Sequence, residues 1–149
     1  MLTFRCVSFE ALSNQELYAL LKLRAEVFVV EQNCVYLDLD DKDQQGHHLL
    51  GLNSQQQLLA YARLLPQGIS YPDYASIGRV VTTASLRGTG AGKALMQYAI
   101  DRAAELFKNT PIKISAQAHL EPFYRELGFL PQGEDYLEDG IPHLAMVRE

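Results

Sequence analysis

Apolar and polar residues alternate from Leu2 to Phe9, the period-two pattern of a half-buried strand. Ser13-Asn14-Gln15-Glu16 comes next as a capping box, in which the serine bonds forward and the glutamate reaches back. Leu17, Leu20, Leu21, Arg24, Val27 and Phe28 then recur at helical spacing and predict a helix with one apolar face, running to Val30. From Glu31 to Gly46 the periodicity disappears. That segment carries Asp38, Asp40, Asp41 and Asp43 and reads as a solvated loop with a short helical piece. His48 to Leu52 and Gln57 to Leu65 form two strands across a turn at Asn53-Ser54, an antiparallel hairpin closed by Pro66-Gln67-Gly68. A second loop covers Tyr71-Pro72-Asp73-Tyr74. Ala75 to Thr83 is a strand built around Ile77, Val80 and Val81, and Gly90 to Lys108 is the strongest helical pattern in the chain. Pro111 to Ala118 is a further strand. His119 to Leu127 is a short helix containing Pro122 and ended by Gly128. Phe129 to Gly133 and His143 to Arg148 are the last strands, joined by an acidic segment from 134 to 140.

The resulting order is β-α-(α)-β-β-β-α-β-α-β-β. Hairpins make the first half antiparallel. The strand, loop, helix and strand of the second half imply a crossover and hence a parallel pair. The expected class is α/β, with a mixed central sheet flanked by helices, in a single domain over 1–149. No repeat or linker divides the chain.

At 149 residues the chain is long enough for one sizeable core. No apolar run approaches the roughly 20 residues of a membrane span, and the first residues lack the pattern of a leader peptide. Cys6 and Cys34 are too few for a disulfide scaffold and show no metal-ligand spacing, so no metal and a reducing, cytoplasmic setting are expected. The net charge of -5 argues against nucleic acid as a partner, and it suits a cationic small molecule. An anionic ligand would have to rely on local cations, for which Arg79, Arg87 and Lys93 are placed in one segment.

That segment holds the most specific chemistry. Leu86-Arg87-Gly88-Thr89-Gly90-Ala91-Gly92-Lys93 sets three glycines between two cations, after a strand and before a helix. Glycines let a backbone approach a ligand closely, and a helix start offers unpaired N–H groups, so the stretch reads as a phosphate cradle. Two nucleotide motifs fail on spacing. The G-x-x-x-x-G-K-[ST] loop would need glycine at 87 and a hydroxyl at 94, where Arg87 and Ala94 stand; G-x-G-x-x-G would need glycine at 93, where Lys93 stands. What remains is R-x-x-G-x-G.

Arg87, Gly90 and Gly92 in that pattern resemble the coenzyme A loop of the GNAT superfamily of N-acetyltransferases. Phe123-Tyr124-Arg125-Glu126-Leu127-Gly128-Phe129 is similar to that family's F-Y-x-x-x-G-F signature. Leu23 to Gln32, then Tyr36 and Asp40, and the ending Glu138-Asp139-Gly140-Ile141-Pro142-His143, resemble the ElaA-like subgroup. The match spans nearly the whole chain. It implies the GNAT fold, acetyl-CoA as cosubstrate and direct transfer of the acetyl group to a small or peptide amine. By resemblance, the backbone of Arg87, Gly88, Thr89, Gly90, Ala91, Gly92 and Lys93 holds the pyrophosphate. The pantetheine arm lies along Val80, Val81 and Thr82, and Tyr124 is the general acid at the departing sulfur. Many members have Asn seven positions before the tyrosine; here Gln117 stands there. The base is open among His48, Glu31 and Glu138, with His47, His119 and His143 behind them. The aspartates of 38 to 43, or Tyr36, Tyr71 and Tyr74, are candidates to line the acceptor mouth. The lack of an evident base also leaves room for a coenzyme A sensor without turnover, and the glycine loop for a nucleotide-binding domain. The protein is expected to be a monomer or homodimer.

Overall fold

Eight strands form one mixed sheet, and three helices cover its two faces. The computed structural model describes all residues, 1–149. In chain order the elements are β1 (Thr3–Ser8), α1 (Asn14–Arg24), β2 (His47–Leu52), β3 (Leu58–Leu65), β4 (Ala75–Thr82), α2 (Ala91–Leu106), β5 (Ile112–Gln117), α3 (Glu121–Glu126), β6 (Leu130–Pro131), β7 (Tyr136–Glu138) and β8 (Ile141–Arg148). The sheet order is β1-β2-β3-β4-β5-β8-β6, with β7 also paired to β8. Strands β1 to β4 are joined antiparallel, and β4 and β5 are the parallel pair around the α2 crossover.

The capping box opens α1 as expected: the Ser13 hydroxyl accepts from the Glu16 amide at 3.0 Å and the Glu16 carboxylate accepts from the Ser13 amide at 2.8 Å. The helix predicted to reach Val30 does continue past Arg24, but in wider π-type winding over Ala25–Glu31. Strand alternation then separates two cores. Leu49, Ala60, Ala62, Leu64 and Ile77 face α2 and α3, while Leu50, Tyr61 and Val81 face Leu20 and Leu23 of α1. A further C-terminal strand, β7, lies between β6 and β8 in the chain and falls inside the acidic segment expected to be a connection. All three of its residues are exposed, so no apolar alternation marks it.

Two irregularities in β4 open the sheet. Parallel pairing of β4 to β5 is confined to Ala75↔Ile112 and Ser76↔Lys113, after which the strands separate. Against β3, Tyr61 opposes Val81 and Arg63 opposes Gly78, so Arg79 and Val80 together face Ala62. This is a β-bulge, with Arg79 at φ +52°. The strand therefore bends away from β5, leaving an opening with an unpaired backbone edge on each side.

Candidate active site

The opening between β4 and β5 is a cleft of about 710 Å³. Residues 76–82 form one wall and 113–117 the other; the π-wound turn, the 34–42 segment and the β7–β8 hairpin close the side facing solvent. The Thr83 amide donates to the Leu59 carbonyl of β3 at 2.9 Å. Backbone alternation thus turns the amides of Val80 and Thr82 towards the open edge. The side chains of Val80 and Val81 divide between the two cores, so both valines build the wall while the backbone stays free.

Beyond the Thr82 end of the cleft lies the glycine loop. Gly88 and Gly90 adopt φ +81° and +85°, and Gly90 caps α2 in the left-handed conformation. The Thr89 hydroxyl donates to the Leu86 carbonyl at 2.5 Å and accepts from the Ala91 amide at 3.3 Å, which fixes the turn. The amides of Gly88, Gly90, Gly92 and Lys93 donate to nothing in the protein. Four free N–H groups at the positive end of a sixteen-residue helix are a preformed anion cradle. Lys93 is exposed beside it. Arg87 lines the cleft, yet its guanidinium is taken up by Glu31, at 2.5 Å, and by the Thr82 carbonyl, at 3.4 Å.

Tyr124 reaches the cleft from α3. Phe123 and Phe129 pack edge-on against its ring at 5.1 and 5.9 Å, and burial pushes its phenol up to about 12. Gln117 also lines the cleft, at the end of β5 opposite His143.

The candidate bases fare differently. His48 is fully buried outside the cleft. Its Nε2–H donates to the Asp43 carbonyl at 2.9 Å, and its Nδ1 accepts from the Tyr61 hydroxyl at 2.6 Å. With both nitrogens bonded inside the core, it cannot take a proton from a substrate, and the expectation of a base there is corrected. Glu31 stands at the cleft mouth but is paired with Arg87. Glu138 does line the cleft: its carboxylate accepts from the Ser115 hydroxyl at 3.3 Å and lies 3.4 Å from His143 Nε2. His143 Nδ1–H donates to the Ile141 carbonyl at 2.7 Å, so Nε2 is the nitrogen left to exchange a proton. Tyr136 stacks on His143 and hydrogen-bonds Ser115. Alternation on β5 puts Ser115 on the same face as Lys113 and Gln117, but only the β7 hairpin, unmarked in the sequence, brings Glu138 to it.

The acidic loop is the main correction. Arg24 is fully buried; it donates from Nε to Asp38 at 2.7 Å and from Nη1 to Asp43 at 2.8 Å. Arg63 joins Asp40 and Asp43 at 2.8 and 2.9 Å, and Arg79 reaches Asp38 and Asp40. Three arginines thus balance three aspartates and pin the segment to the sheet; of its four aspartates only Asp41 is exposed. Arg79, expected to serve an anionic ligand, is held in this network instead. Burial works to raise Asp43, but the guanidiniums of Arg24 and Arg63 outweigh it and hold the carboxyl below its usual range. The Arg24 position in an otherwise apolar helical stripe was the signal in the sequence: a buried guanidinium requires acidic partners.

Burial lowers His48, so the folded state favours its neutral form. That contribution is complete above the unfolded value of about 6.5 and is lost as pH falls below it, because the unfolded chain then binds more protons. His47 is shifted the same way by burial. The urea midpoint is expected to be lower at pH 5.5 than at pH 7.5, and His48→Gln should shrink that difference. A midpoint flat over this range would contradict the assignment.

No group of three or more His, Cys, Asp or Glu side chains is placed to hold a metal ion, and no helix is long and apolar enough to cross a membrane. Comparison with known proteins agrees with the geometry. A crystal structure of an acyl-CoA N-acyltransferase from Pseudomonas aeruginosa superposes with a TM-score of 0.94 at 45% identity, covering 100% of both chains. Escherichia coli ElaA superposes with a TM-score of 0.93 at 41% identity, again over 100% of both. A UPF0039 protein of Synechocystis is 45% identical over 139 residues, 93% of this chain and 90% of that protein. The family described as "Acetyltransferase (GNAT) domain" matches residues 10–149. A split β4–β5 pair, a bulged β4 and a glycine cradle at the start of α2 therefore occur in a chain that belongs to the GNAT acetyltransferase family, alongside ElaA and the UPF0039 proteins.

Proposed function

We propose that this protein transfers an acetyl group from acetyl-CoA directly to an amine. One observation carries the reading: the four unbonded amides of Gly88, Gly90, Gly92 and Lys93 follow directly on Arg87, which lines the same cleft as Tyr124. The cradle suits the pyrophosphate, for which Arg87 must exchange Glu31 for the ligand. The open edge of β4 suits the amides of the pantetheine arm, added as an extra strand. An amide at Val80 or Thr82 would receive the oxygen of the tetrahedral intermediate, a donor worth about 3 kcal/mol in other enzymes.

The amine nitrogen attacks the thioester carbonyl and a C–N bond forms. The C–S bond breaks, and Tyr124 donates its proton to the departing sulfur. The proton shed by the amine passes to Glu138 or to His143 Nε2, which adjoin each other in the cleft. This pair favours turnover over a silent coenzyme A sensor. Thiol release from acetyl-CoA in the presence of an amine panel tests the reading: release dependent on one class of amine is expected, and binding without release from any amine would favour the sensor.

Gly90→Val adds a Cβ that meets nothing within 4 Å, so its effect is conformational: valine at φ +85° is strained and the cradle turn must change. The apparent affinity for acetyl-CoA is expected to fall about tenfold or more, the loss of one or two amide contacts to a charged group, while the fold persists. Unchanged affinity, measured by equilibrium titration, would remove the loop from the donor site.

A further inference from the structure

Charge pairing around the cleft leaves two cations unmatched. Arg24, Arg63 and Arg79 are balanced by Asp38, Asp40 and Asp43, and Arg87 by Glu31. Lys42 and Lys113 are not balanced, and both line the cleft. The Lys42 ammonium donates to the Ser70 hydroxyl at 3.1 Å. The Lys113 ammonium sits over the rings of Tyr71 and Tyr74, at 4.9 and 5.4 Å. Since Ser70 and Tyr71 are consecutive, the two ammoniums converge on one loop. Both lysines are half-buried, where a charge without a counterion is costly. The nearby Arg63 is 4% exposed, and its Nε has no partner. Rings hold a cation in place without neutralising it, so the charge at this end of the cleft remains available.

The opposite charge lies a short step away. Lys113 and Ser115 share one face of β5, two residues and about 7 Å apart along the strand. Ser115 bonds Glu138, the carboxylate next to His143. The acceptor side of the cleft is therefore positive at the Lys42–Lys113 end and negative at the Glu138 end. We infer that the acceptor is itself a zwitterion of matching polarity: an amine carrying a carboxylate, of the free α-amino acid type, with its carboxylate between Lys42 and Lys113 and its nitrogen towards Glu138. An α-amino acid carries its two charges on groups joined through one carbon, so each can form one charge-assisted hydrogen bond within the same cleft. The inference rests on the donor reading above. The net charge of -5 suits a cationic small molecule, but the local field at the cleft, and not the global sign, faces the acceptor.

The test is thiol release with matched acceptor sets, each an L-amino acid, its carboxamide and the corresponding decarboxylated amine, together with an acetyl-CoA titration of the same samples. For at least one set, kcat/KM for the amino acid is expected to exceed that of both counterparts by about tenfold or more, one charge-assisted contact's worth. Lys42→Met and Lys113→Met, which keep the aliphatic stem, are each expected to reduce that ratio severalfold. Carboxamides or simple amines that serve equally well would overturn the inference without any variant being made, as would a ratio that survives both substitutions. If no amine turns over, calorimetry with N-acetylamino acids and their carboxamides in the presence of coenzyme A gives the same comparison on the product side, and an equal response to both overturns it. Retained acetyl-CoA binding with no carboxylate preference removes this inference alone, whereas absent acetyl-CoA binding removes the donor reading as well.

Discussion

Tyr124→Phe is expected to lower kcat by about 10²- to 10⁴-fold, the usual range for loss of a positioned general acid. The ring keeps its edge-on packing against Phe123 and Phe129, so the wall of the cleft and the KM for acetyl-CoA should change little. The hydroxyl has one proposed role, at the sulfur. Burial pushes the phenol to about 12, so it remains protonated through the range in which an amine can be deprotonated. Against a thiol near 8.5 in water it is the weaker acid. The thiolate, however, departs into the same apolar wall, where burial raises its own proton affinity. The wild-type rate should therefore show no alkaline decline from this tyrosine up to pH 10. Steady-state kinetics across pH checks both points, and a phenylalanine variant with undiminished kcat would contradict the assignment.

Arg24→Leu is expected to cost about 3 kcal/mol of stability, the low end for breaking a buried ion pair, because Arg63 and Arg79 still reach the stranded aspartates. Arg24 holds the 38–43 segment with two ion pairs and a third contact, from Nη2 to the Asp38 carbonyl at 3.2 Å. It also lies 5.8 Å from the centre of the Tyr61 ring. A chain of this length would lose roughly 6–12 °C in melting temperature. The loosened segment includes Asp40 and Lys42, which line the cleft, so acceptor use should suffer more than donor binding. Thermal unfolding and hydrogen exchange over 34–46 check this; a melting point within about 1 °C of wild type would mean that the network is not what anchors the loop.

Much of the fold was legible because its causes are local. The Ser13 capping box, the alternation in β1 and the glycine-to-helix transition at Gly90 each act within a few residues. The remainder depended on contacts between distant segments. Arg24 was counted in the apolar stripe by spacing, yet its partners lie 14 and 19 residues away. Strand β7 carries no buried residue and exists through pairing with β8. Nothing in Ala75–Thr82 marks where β4 leaves β5, because the bulge places an arginine, not a glycine, at positive φ. The candidate site divides along the same line. The cradle and Tyr124 carry sequence signatures, whereas Glu138, His143, Lys42 and Lys113 converge only once the sheet is assembled. His48 misled for the complementary reason: a histidine beside an acidic loop has the composition of a base but is buried against Tyr61 and Asp43.

Titration calorimetry with acetyl-CoA decides whether the donor lies from the glycine cradle to Tyr124, the placement on which the transfer chemistry and the acceptor site both depend. Saturable binding of one acetyl-CoA per chain is expected, competed by coenzyme A and weakened in Gly90→Val. No heat at millimolar acetyl-CoA, or binding that the Gly90 substitution leaves untouched, would contradict that placement.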